Sequence, residues 1–349
     1  MGRRAPTCTC ASAEQRAREL RAGLPALLAV TALLLSSCAT LPAARVVESP
    51  WAALPSDGDL YLFADVQEAR GLLQPLAAGF SGQEPARLDP LLDRVEQAHA
   101  CLYLGAAGPA QTPPPPAGEA SGGAGEPPSG RGAELAVTGR FSSDLVSFRL
   151  SFSCAWVRHE SAQPSAQPYW SARGRPLEVG SPAPGLLLAA AGRPGGLERM
   201  LARRLVPAAG PVERARASDP RVDPFLAGAA LYAFLPGPPA GAGPGLPLRQ
   251  VWLAARRDGE HYELGALAAL AGEPSPRALA SLVRLAAAAW LRRAGVSDVA
   301  GRLRALEIGI EGDALSLRGL RLGEAELLSA LEAWVLPPAG EDAGAQRGD

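Results

Sequence analysis

Leu248-Arg249-Gln250-Val251-Trp252-Leu253-Ala254-Ala255-Arg256-Arg257-Asp258-Gly259-Glu260-His261-Tyr262-Glu263-Leu264-Gly265-Ala266-Leu267-Ala268 reads as two strands around a tight turn. Asp-Gly between apolar runs is a strong hairpin signal, because its glycine accepts the positive φ that such turns need. Val251, Leu253 and Ala255 alternate along the first strand. A second hairpin follows: Leu306, Ile308 and Ile310 alternate, Gly312-Asp313 turns, and Leu315 and Leu317 return. Helices separate and follow the hairpins. Ser275-Pro276 opens one, since Ser caps and Pro fits a first helical turn. Leu279, Leu282, Val283, Ala286 and Trp290 form its expected inward stripe, and Gly295 lies just past its end. Residues 324–335 carry a final helix. Hairpins punctuated by helices predict an α+β fold: antiparallel sheets with helices packed on one face.

The first half is less regular. Leu60 to Val66 reads as a strand; 67–78 and 88–98 have helical spacing, with Leu91, Leu92 and Val95 on one side. Residues 101–106 and 134–140 read as strands. Residues 142–154 fit either a helix (Leu145, Phe148, Phe152) or a strand (Val146, Phe148, Leu150, Phe152). Pro- and Gly-rich runs at 107–132 and 236–247 cannot bury enough apolar surface to offset chain entropy and read as loops.

A constant offset of 129 residues links the halves. Leu177-Glu178-Val179-Gly180 falls on Leu306-Glu307-Ile308-Gly309, Leu186 and Leu188 on Leu315 and Leu317, and Glu134-Leu135 on Glu263-Leu264. Two divergent copies of one unit are expected, against the competing reading of chance matches in an Ala/Leu/Gly-rich chain. The expected organisation is a removable segment 1–37, a tether 38–56, a first unit 57–206 with a disordered loop 107–132, a second unit 207–335, and a tail 336–349.

The N-terminus carries Arg3, Arg4, Arg16, Arg18 and Arg21, then the apolar run Leu24 to Leu35, then Ser36-Ser37-Cys38. A positive flank, a short apolar core and small residues before a cleavage point make a secretory signal. The core is shorter than the roughly 20 residues of a membrane-spanning helix. Leu35-Ser36-Ser37-Cys38 resembles the lipobox of bacterial lipoproteins. That resemblance implies cleavage between Ser37 and Cys38 and lipidation of the Cys38 thiol, which holds the body to a membrane. Ala39, where an inner-membrane retention signal often places Asp, implies the periplasmic face of an outer membrane.

The 349 residues carry a net charge of −1, with no Lys and no Asn. Losing the signal leaves a weakly acidic chain, without the basic footprint of a nucleic-acid binder. Cys8 and Cys10 leave with the signal, so Cys101 and Cys154 remain, as a disulfide or as two buried thiols.

No catalytic constellation emerges. His99, His159 and His261 lack metal-ligand spacing, so no metal or cofactor is expected. Arg158-His159-Glu160-Ser161 lacks a nucleophile elbow, and Asp59 and Asp65 lie too far apart along a strand to share a cation. Arg199, Arg203, Arg204, Arg214 and Arg216 could meet lipid headgroups or form a solvated face. The expected role is a lipid-anchored envelope protein, structural or binding, with a membrane and an envelope protein as partners. Alternatives are a carrier for a hydrophobic ligand such as lipid and, less favoured, an enzyme.

Overall fold

The computed structural model describes residues 49–81, 84–104, 132–161, 167–205, 209–237, 248–271 and 276–335. The expected signal, Ser37, Cys38, the loop core and the tail lie outside them. In chain order, a single 3-10 turn at Pro50–Ala53 precedes β1 (Leu60–Asp65), α1 (Arg70–Ser81), α2 (Pro85–Leu92), β2 (Val95–Tyr103), β3 (Gly132–Gly139), α3 (Ser143–Phe152), β4 (Trp156–His159), β5 (Tyr169–Ala172), β6 (Leu177–Ala183) and β7 (Leu186–Ala191). Next come α4 (Gly196–Arg204), α5 (Pro211–Ser218), α6 (Val222–Leu226), β8 (Leu231–Leu235), β9 (Leu248–Asp258), β10 (His261–Leu270), α7 (Pro276–Arg293), α8 (Val299–Ala305), β11 (Glu307–Glu311), β12 (Ala314–Gly323) and α9 (Glu324–Val335).

All strands among the described residues join one antiparallel sheet of twelve, ordered β11-β12-β10-β9-β8-β1-β2-β3-β7-β6-β5-β4. The α+β class therefore holds. Read outward from the central β1–β8 pair, the order on one side is β2, β3, β7, β6, followed by β5 and β4 at the edge, and on the other β9, β10, β12, β11. The 129-residue offset carries Gly132, first in β3, onto His261, first in β10.

Helices cover both faces of the sheet, which corrects the expectation of one. Residues paired directly across strands share a face. The register Tyr61↔Phe234, Phe63↔Tyr232, Phe63↔His99 and His99↔Ala136 defines one face, and α4, α5 and α6 pack there through Leu197, Met200, Val212 and Phe225. Leu135, Val137, Leu187 and Ala189 point the other way, under α1, α2 and α3. Further along that second face, Tyr262, Leu320 and Leu322 lie under α7, α8 and α9. The cause is visible in β7, Leu-Leu-Leu-Ala-Ala-Ala, which is buried throughout. A continuous apolar strand is one covered on both sides. The helices following β7 and β12 thus take opposite faces: α4 lies on the aromatic one and α9 on the other.

Local expectations are corrected too. The helix read over 88–98 stops at Leu92, and Val95–Tyr103 is a strand, because β1 and β3 pair it on both edges. Gln67 Nε2 donates to the Leu92 and Val95 carbonyls and holds that switch. Residues 143–152 are helical, burying Val146 and Leu150 and leaving Phe148 and Phe152 exposed. In α7 the expected stripe holds at Leu279, which is buried, and at Val283 and Trp290, which are half-buried against the core, whereas Leu282 and Ala286 are exposed and Leu291 is buried in addition. The hairpin turns fall at Gly259 and Gly312, with φ of 63° and 58°. Among the described residues no helix is long and apolar enough to cross a membrane.

Candidate functional site

The concentration of aromatic side chains marks the middle of the sheet, where the two halves meet. Alternation in β1, β8 and β9 puts Tyr61, Phe63, Tyr232, Phe234 and Trp252 on one face, and β2 adds His99 beside Phe63. Phe63 stacks on Tyr232 with centroids 4.6 Å apart, and Phe234 on Trp252 at 4.2 Å. Trp51, from the Pro50–Ala53 turn, closes this floor. It stands edge-on to His99 at 4.7 Å and lies 6.2 Å from Tyr232. The Tyr232 hydroxyl is hydrogen-bonded to Trp51 and Arg216, and burial pushes it up to about 12. Tyr61 fixes the chain entering the sheet: its hydroxyl donates to the Pro55 carbonyl at 2.7 Å and accepts from Gly58 N–H at 3.0 Å. Tyr61→Phe strips both groups of their partner and should cost about 2 kcal/mol in urea unfolding. A loss under about 0.5 kcal/mol would show that the entry loop is held otherwise.

His99 is 3% exposed, and neither ring nitrogen has a hydrogen-bond partner among the described residues. Burial lowers its pKa to about 4. Sequence reading placed His99 only as a histidine without ligand spacing. What could have singled it out was its position, one imidazole between two alanines in Ala98-His99-Ala100-Cys101-Leu102.

Beside the floor, at the β2–β3–β7 end, a carboxylate is buried. Glu134 is fully buried; Arg203 Nη1 meets its Oε2 at 3.2 Å, and the Tyr103 hydroxyl lies 3.4 Å from Oε1. Arg193 stacks over the Tyr103 ring at 3.7 Å and faces Asp57 at 3.8 Å. Burial raises the Glu134 pKa, while Arg203, Arg199 and Arg193 pull it back. The cluster joins α4 to the sheet electrostatically, and it absorbs one arginine of the expected basic set, Arg203. The others are tied down as well: Arg199 donates to the Pro194 carbonyl, Arg204 to Pro182, Arg214 to Ala209, and Arg216 pairs with Asp223.

Cys101 and Cys154 are both free, so of the two alternatives the disulfide is not formed; the other, two buried thiols, holds at Cys101 and fails at Cys154, which is exposed. Cys101 sits on β2 under Gly58, whereas Cys154 follows α3 on the other side of the sheet. Burial, reinforced by Glu134, pushes the Cys101 thiol up. In a chain begun at Ala39, which holds no other cysteine, a thiol reagent should titrate one cysteine in native protein and two in urea. No reactive thiol in either condition would restore the disulfide.

The remaining candidates stay apart. His159 stacks on Tyr169 and shares a 2.7 Å hydrogen bond with the Ser171 hydroxyl at the sheet edge; His261 is exposed beside its turn. Asp59 accepts from Leu104 N–H, and Asp65 from Gln67 and Glu68 N–H at the far end of β1. Among the described residues no three His, Cys, Asp or Glu gather as a metal site. An open cleft of about 380 Å³ lies near Asp219, Arg221, Arg249 and Asp313, where Arg221 bridges both aspartates.

No family model matches the chain, and no curated protein does. Solved structures share its fold. TP0453 in crystal form III aligns with a TM-score of 0.55 at 14% identity, over 83% of this chain and 100% of that one. TP0453 in crystal form I aligns at 0.51 and 14%, over 83% and 98%. Crystal form IV aligns at 0.50 and 14%, over 81% and 96%. At such identity the likeness establishes the fold alone.

Proposed function

We propose that this chain is a lipid-anchored protein of the bacterial cell envelope, whose folded body has a structural or binding role without catalysis. The observation that carries the reading is Leu35-Ser36-Ser37-Cys38 directly after the apolar core, thirteen residues before Trp51. Trp51 is itself buried, so the tether runs into the core of the body. A chain extends at most about 3.5 Å per residue, so the lipidated sulfur would hold Trp51 within about 45 Å of the bilayer. Two or three acyl chains give stable anchoring at roughly 0.8 kcal/mol per buried methylene. Ala39 after the cysteine favours the periplasmic face of an outer membrane. The matched strand order on either side of β1–β8 supports two divergent copies of one unit, fused edge to edge. Crosslinking in intact cells, then recovery of the body, should bring down an envelope protein; recovery of no partner counts against a binding role.

A second reading, a carrier for a hydrophobic ligand, draws on the aromatic floor and the short helices over it. Native mass spectrometry of the purified body would then show a bound apolar molecule, and a clean apo mass would remove that reading.

A further inference from the structure

The Pro50–Ala53 turn lies over the aromatic floor, and Trp51 fits a slot there. Gly210, which caps α5, makes the fit possible: a Cβ at that position would lie 2.6 Å from the Trp51 carbonyl oxygen. The walls are Tyr61 and Tyr232, and the base is His99, wedged edge-on between Trp51 and Phe63 at 4.7 and 5.2 Å. Two unmade hydrogen bonds at a buried side chain cost stability that an aliphatic side chain would not. The anchoring mechanism makes no use of this imidazole.

We propose that the Pro50–Ala53 turn is an acid-opened latch: protonation of His99 beneath Trp51 releases the turn while the sheet stays folded. A protonated ring would carry two N–H donors and a charge with no acceptor facing either. The titratable groups around it give no counter-charge. Tyr61 on β1, Cys101 on the same strand and Tyr232 on β8 are all raised by burial and remain neutral in acid. Glu134 on β3 is held by Arg203 of α4, and Glu213 and Arg216 of α5 lie beyond Tyr232. The strands on either side of His99 are fixed by their ladders. The turn is four residues long, so lifting it is the least costly way to bring water to the ring.

In the released state His99 meets water and its pKa returns from about 4 toward the ordinary value near 6.5, and that difference drives opening. Release also lengthens the free tether. From Cys38 the body would be held through Pro55, which the Tyr61 hydroxyl still grips, 17 residues away instead of 13, a reach of about 60 Å instead of about 45 Å. That consequence rests on the anchor proposed above, whereas the release itself does not.

The test is fluorine NMR of 5-fluorotryptophan-labelled mature chain, lipidated in micelles and unlipidated as Cys38→Ala, between pH 7 and 4. Trp51→Phe identifies the Trp51 resonance. In both forms it should move to a solvent-exposed position while the buried Trp170 and Trp252 resonances stay native. His99→Phe should hold Trp51 in place throughout. Joint movement of Trp51 and Trp252, no movement at all, or release at the same pH in His99→Phe would each overturn the latch. If His99→Phe does not fold, the comparison of Trp51 with Trp252 in the parent chain still decides. The unlipidated arm keeps the outcome separate from the fate of the anchor.

Discussion

Trp252→Ala should lower the free energy of unfolding by about 3–5 kcal/mol, the usual cost of deleting a large aromatic side chain from a packed core. Trp252 is 1% exposed and stacks on Phe234, with Tyr232 6.4 Å away. It lies on β9, one strand from the junction of the two halves, with α6 above it. Its collapse would loosen the shared floor, so the transition should stay cooperative but shift to lower urea. Trp252→Phe is expected to cost far less, because the indole N–H has no partner to lose among the described residues. A loss below about 1 kcal/mol for the alanine variant would mean that the floor is not a common core.

The second large effect is acid sensitivity centred on His99. Its folded pKa, about 4, lies below the ordinary value near 6.5 because burial disfavours the charged ring. Between those values the unfolded chain binds the proton and the folded chain does not, so stability rises with pH across that window. The contribution is complete above about pH 6.5 and is lost as pH falls towards 4. At 1.36 kcal/mol per unit it amounts to about 3 kcal/mol, or less if the latch opens first. Glu134 works in the opposite sense, since burial raises its pKa and protonation favours the folded state. The quantity to measure is therefore the difference between wild type and His99→Phe in urea midpoints from pH 7 to 4. Parallel curves would show that His99 does not titrate in a buried site.

The second-half hairpins were legible because Asp258-Gly259 and Gly312-Asp313 state their turns locally, and the strands alternate around them. α9 was legible to the residue. The first half was harder for physical reasons. Residues 95–98 have helical spacing, yet β1 and β3 offer them a full set of ladder partners, and tertiary pairing overrides the weaker local preference. Coverage of both faces was written in the unbroken apolar run of β7, but alternation in β9 suggested a single buried face. The aromatic floor was not legible at all. Tyr61, His99, Tyr232 and Trp252 are far apart in sequence and meet only through strand register. The buried ion pair of Glu134 and Arg203 was hidden for the same reason, and Arg203 read as part of a solvated basic cluster. Cys101 and Cys154 look alike in apolar surroundings, but a strand and an exposed turn on different sides of the sheet keep them apart.

The account depends most on the sulfur of Cys38. Cells fed labelled palmitate and expressing either wild type or Cys38→Ala give the direct comparison. The predicted result is label on the wild-type protein, which sediments with membranes, and an unlabelled Cys38→Ala protein. A wild-type protein that carries no label and washes free of membranes would contradict it.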